Sequence, residues 1–104
     1  MALSPPATTS TTVPSFVDTN ILVYAEDADA GPKRVIARDL LTGLWKTRQG
    51  VLSVQVLQEF YVTATRKLRS PLSPEMARDI VHEYGSWTVV PETTDLLEAA
   101  LDLH

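Results

Sequence analysis

The sequence contains no cysteine. A disulfide framework and a thiolate metal site are therefore excluded, and a reducing compartment such as the cytoplasm fits. No run of 18 or more apolar residues occurs, so no membrane span is expected. The opening "MALSPPATTSTTVP" has neither a basic stretch nor a long apolar one, and a secretory signal is not indicated. Positive charge is also scarce: 9 Lys and Arg stand against 13 Asp and Glu, for a net charge of −4. That balance argues against a protein that coats nucleic acid by bulk charge, but not against an enzyme that gathers acidic groups around a metal ion. The two histidines, His82 on a helical pattern and His104 at the end, have no serine or cysteine partner at suggestive spacing.

With 104 residues, 44% of them apolar, the chain suits one folded domain. Residues 1–14 are small, polar and proline-rich and read as a disordered tail, and residues 15–104 as the domain. Within that domain strand-like and helix-like patterns alternate. Residues 16–25 read as a first strand. "PKRVIARDLLTGLWK" reads as a helix with Ile36, Ala37, Leu40, Leu41 and Leu44 inward. "VLSV" is a second strand, passing into "QVLQEFYVTATRKL", a helix with Val56, Leu57, Phe60, Tyr61, Ala64 and Leu68 on one face. Ser73 and Pro74 open a further helix with Met76, Ile80, Val81 and Tyr84 inward, and Gly85 closes it. "WTVVP" is a third strand and "ETTDLLEAALDLH" a last helix. The alternation predicts a parallel α/β sheet, which binds ligands beyond the carboxyl ends of its strands.

Asp18, Thr19 and Asn20 interrupt the apolar run of the first strand, and burying a lone carboxylate costs several kcal/mol unless it is paired or bound to a metal. Glu59 lies one turn into the helix after the second strand, beside Phe60 of its apolar face. Two readings follow from spacing alone. In one, Asp18-Thr19-Asn20 is a turn and Glu59 a solvated helix residue. In the other, Asp18 and Glu59 meet at the same end of adjacent strands with a divalent cation between them, Mg²⁺ or Mn²⁺ by the hardness of the oxygen ligands, and Thr19 and Asn20 orient the carboxylate or its waters. Asp95, Glu98 and Asp102 of the last helix read as surface acids. Lys33, Arg34, Arg38, Arg66, Lys67 and Arg69 are candidate phosphate contacts or simply solvated charges, and Trp45 and Trp87 read as packing groups.

"FVDTNILVYA" followed by "SVQVLQEFYVTATRKL", with the "VVPETTDLLEAALDLH" stretch, resembles the PIN domain family, in particular the VapC-type toxins of bacterial toxin–antitoxin pairs. The resemblance implies a three-layer α/β/α fold around a five-stranded parallel sheet. It implies Mg²⁺- or Mn²⁺-dependent RNA cleavage by in-line attack of a metal-activated water. Asp18 and Glu59 match the first two metal-binding acids, and Thr19 and Asn20 the polar pair after the first. In relatives a third acid follows an aromatic residue in a later helix, and a fourth ligand comes from a later strand. Neither segment occurs by His104, so the domain is expected to be incomplete at its C-terminus, without its last strands and helix, and its activity reduced. The implied partners are an RNA substrate, a cognate antitoxin and a second copy of the chain, with no membrane. The alternative is an inactive PIN remnant that binds an antitoxin or another partner. The family's strand order places residues 16–25 at a sheet edge, which is expected to promote self-association.

Overall fold

The computed structural model describes residues 14–91. The expected last helix, and the expected tail up to residue 13, lie outside them. The elements in order are β1 (Ser15–Phe16), α1 (Thr19–Glu26), α2 (Pro32–Thr47), β2 (Gly50–Ser53), α3 (Val54–Arg66), α4 (Pro74–Tyr84) and β3 (Thr88–Val90). The strands form a parallel sheet in the order β1-β2-β3, with Phe16 beside Val51 and Val51 beside Thr88. α1 packs against both α2 and α3, and α3 against α4. The α1–α3 contact brings the two crossovers against each other.

The main correction concerns residues 16–25. Only Ser15 and Phe16 are strand, and the chain turns helical at Thr19. Asp18 keeps an extended backbone (φ −76°, ψ 150°) as the residue before the helix, a position that favours aspartate. The misreading has a physical source. Leu22, Val23 and Ala25 are buried, and Ile21 and Tyr24 are half-buried against the same core. A helix enclosed on most of its surface lacks the polar face that marks a helical period, and its sequence looks like a buried strand. The premise of a ten-residue apolar edge fails with it. β1 is a two-residue strand bonded to β2 through Ser15 N–H to the Gln49 carbonyl (2.8 Å) and Val17 N–H to the Val51 carbonyl (3.0 Å). An edge this short is itself a protection against strand pairing.

The other elements follow the expected pattern with small shifts. Ser53 closes β2 and caps α3, its hydroxyl accepting from Val56 N–H at 3.0 Å, so Val54 becomes the first helical residue rather than the last of the strand. Ser73 caps α4 in the same way, accepting from Met76 N–H at 3.1 Å, with Pro74 at the first helical position. Two inward faces differ from expectation. On α2 the buried residues are Ala37 and Leu41, while Ile36 is 66% and Leu40 47% exposed. On α4 Ala77 is buried and Met76 is 53% exposed. Ala37-Leu41-Leu44 and Ala77-Val81-Tyr84 are the rows that face the core, one residue round from the larger side chains.

The core joins Leu22 of α1, Leu41 of α2, Leu52 of β2, Phe60 of α3 and Tyr84 of α4. Aromatic rings extend it downward: Phe60 meets Tyr84 edge-on (6.4 Å between centroids), Tyr84 meets Trp87 (5.5 Å), and Trp87 lies tilted on Trp45 (5.8 Å). Trp87 covers Gly50 so closely that a Cβ there would overlap its ring and approach Leu44 Cβ at 3.3 Å. Gly50→Ala should therefore lower stability by roughly 1–3 kcal/mol, the usual range for overpacking, read as a drop in denaturation midpoint with unchanged m-value.

Burial pushes the Tyr84 phenol up to about 12, with the charges of Glu26 and Glu83 adding to the effect. A raised phenol pKa means that folding favours the neutral form. Its contribution is complete below the unfolded value of 10 and is lost as pH rises through about 12. Tyr84→Phe should flatten the alkaline end of the stability–pH curve in that window, as measured by urea melts.

Candidate active site

β1 ends at Phe16 and β2 runs directly into α3, so Asp18 and Glu59 arise at the carboxyl ends of neighbouring parallel strands. Both are solvent-exposed. No burial of an isolated carboxylate has to be explained, because Asp18 stands at a helix start and not inside a strand. Its side chain makes no cap hydrogen bond to α1.

The Thr19 hydroxyl donates to Glu59 Oε1 at 2.9 Å. This bond joins the start of α1 to the second turn of α3 and fixes the Glu59 carboxylate beside the residue that follows Asp18. Thr19, expected to orient the first acid or its waters, bonds here to the second acid. A cleft of about 460 Å³ opens between the two helices, lined by Asp18, Thr19, Asn20 and Glu59, together with Gln58, Val62, Thr63 and Lys67. All four expected site residues are thus brought to one cleft. Asp18 also borders a smaller cavity of about 230 Å³ with Phe16, Val51 and Val56.

Sequence reading did not single out Gln58, Val62 or Thr63. The signal was present in the spacing: Glu59, Thr63 and Lys67 follow at intervals of four and share one helix face. Of the six cations considered as phosphate contacts, Lys67 alone lines this cleft. Arg38 donates through Nε to the Ala25 carbonyl (2.6 Å) and stands 3.8 Å from Glu26, Arg34 reaches the same carbonyl at 3.5 Å, and Lys33 lies over the Tyr24 ring. These three are occupied at the far end of α1, where cations satisfy its last carbonyls. Glu26, half-buried there, has its carboxyl pushed up by desolvation, against the pull of Arg38 and Arg34 and with Glu83 adding to the rise.

The donor set is a pair of hard carboxylate oxygens with hydroxyl and amide groups around them, which suits Mg²⁺ or Mn²⁺ in chemistry. Among the described residues no group of three or more His, Cys, Asp or Glu side chains gathers at one point. Asp95, Glu98 and Asp102 lie outside the described residues.

The acidic cleft lies at the carboxyl ends of a parallel α/β sheet, where proteins of this architecture bind their ligands. The family model that matches here is the PIN domain, over residues 15–104, and the chain belongs to the PIN domain family. Its members are generally nucleases and generally depend on divalent metals. No curated protein and no solved structure matches the chain significantly. Among the described residues no helix is long and apolar enough to cross a membrane.

Proposed function

We propose that this protein is a Mg²⁺- or Mn²⁺-dependent endoribonuclease of the toxin type, acting in the cytoplasm on single-stranded RNA and restrained by a cognate antitoxin. The observation that carries the reading is the Thr19–Glu59 hydrogen bond, which couples the two acids' elements across the cleft. Asp18 and Glu59 would hold the cation. When bound, it supplies a water of lowered pKa and stabilises charge that develops on the phosphate. The chain's own residues do the rest. Thr19 holds the Glu59 carboxylate in place by its hydroxyl. Asn20 and Thr63 offer polar groups at the cleft wall, and Lys67 gives a positive charge for a substrate phosphate in a chain that is otherwise acidic.

The test is a labelled single-stranded RNA incubated with the full chain. Slow cleavage in Mn²⁺, none in EDTA and none by Asp18→Asn is the expected outcome. Cleavage that persists in Asp18→Asn would remove Asp18 from the site.

A second reading, a partner-binding PIN module without activity, is favoured by one feature. Ile36 and Leu40 stand exposed one turn apart on α2, with Val35 exposed beside them, an apolar surface of the kind that marks interfaces with an antitoxin or a second copy. The same incubation separates the two: an RNA untouched in Mn²⁺ by a folded chain favours the module.

A further inference from the structure

A second concavity adjoins the acidic cleft. It is a groove of about 430 Å³ between α3 and α4, within the range typical of small-molecule sites. Val54, Leu57 and Tyr61 of α3 line one wall and Val81 of α4 the other, so it is almost wholly apolar. Its polar residues are Gln58 and Arg78. Gln58 and Val62 belong to both the groove and the cleft. One residue turn apart, they form the ridge between the two, with Glu59 and Thr63 on one side and Tyr61 on the other. Adjacent side chains on such a surface lie about 5–6 Å apart, a step on the scale of one nucleotide.

We propose that this groove binds an unpaired nucleobase of the RNA, next to the phosphate held in the acidic cleft. The inference rests on the ribonuclease reading of that cleft. Single-stranded RNA is recognised by splayed bases that stack on aromatic side chains and pair along their polar edges. Tyr61 supplies the ring. It is half-buried, lies outside the core cluster and lines the groove. Gln58, on the shared ridge, supplies a donor and an acceptor in one plane for a base edge. Charge fits as well. Lys67 on the cleft side and Arg78 on the groove side make no ion pair with any described residue, leaving a cation on each side of the ridge for successive phosphates. A purely apolar occupant, such as a second copy of this chain, would use the valine and leucine walls but would leave Arg78 and Gln58 facing apolar surface.

The test compares two short fluorescein-labelled single strands, one RNA and one of the same length built from abasic residues. Both are titrated by anisotropy against the full chain in Ca²⁺, and a gel confirms intact strands afterwards. The expected result is about tenfold tighter binding of the base-bearing strand, the size of one stacked base. Tyr61→Ala should lose most of that preference and Tyr61→Phe should keep it. Equal binding of the two strands overturns the groove proposal while the ribonuclease reading stands. Binding of neither strand overturns both. If sedimentation shows a dimer that Tyr61→Ala dissociates while the base preference is unchanged, a second copy fills the groove and the proposal fails. The strand comparison needs no variant, so equal binding overturns the proposal even if Tyr61→Ala melts early.

Discussion

Phe60→Ala should leave the chain only marginally stable at about 25 °C, close to its unfolding midpoint. Phe60 is fully buried at the centre of the core, between Leu22 of α1 and Leu52 of β2, with Tyr84 edge-on at 6.4 Å. Truncating a buried phenylalanine removes its transfer free energy and leaves a cavity that neighbours refill only in part, at a cost of about 3–5 kcal/mol. Small domains hold only about 5–15 kcal/mol in total, and a domain with a core of this size belongs near the lower end. A urea melt in which Phe60→Ala retains most of the wild-type stability would mean that the helical layer does not pack on β2 as described. Val62→Ala, at a 40% exposed position on the same helix, should cost well under 1 kcal/mol in the same assay, as surface changes do.

The second large effect is chemical. Asp18→Asn and Glu59→Gln should each reduce Mn²⁺-dependent RNA cleavage by about 10²-fold or more. Each change keeps the side chain's shape and removes one of the two negative charges that the described residues bring to the cleft. Misplacing a reacting group by an ångström alone can cost about 10²-fold. Both residues are exposed, so neither substitution should disturb folding. Thr19→Val should have a smaller effect, about tenfold, because it releases Glu59 without altering its charge. A Thr19→Val protein as inactive as Asp18→Asn would show that the hydroxyl has a larger part than holding Glu59.

Much of this was legible in the sequence, and the exceptions share a cause. The cap of α4 could be read because Ser73 acts locally, through its own hydroxyl, whereas Ser53, which caps α3, was read as part of the strand. The parallel sheet could be read from alternation of β-branched and helical segments. α1 could not, because its enclosure by α2 and α3 erases the periodicity that identifies a helix. The inward face of α2 was drawn too wide, taking in the exposed Ile36 and Leu40 beside the buried Ala37 and Leu41, and on α4 Met76 was expected inward where Ala77 is buried. Size suggested Met76 on α4, where the small Ala77 is the buried residue. In the site, Asp18 and Glu59 could be named because a motif resemblance joins residues 41 positions apart, whereas the Thr19–Glu59 bond depends on how α1 and α3 cross. No pattern within either helix contains that information.

The central claim is that Asp18 and Glu59 act as one cation site. The most direct test is a double-mutant cycle read by calorimetric titration with Mn²⁺ on the wild type, Asp18→Asn, Glu59→Gln and the double variant. Two carboxylates give a weak site, since affinity falls with ligand charge count. The expected result is modest wild-type affinity, a loss of at least tenfold in either single variant, and a double variant hardly worse than the singles, the non-additivity that residues sharing one ligand must show. Independent, additive losses, or Mn²⁺ binding unchanged by Asp18→Asn, would contradict it.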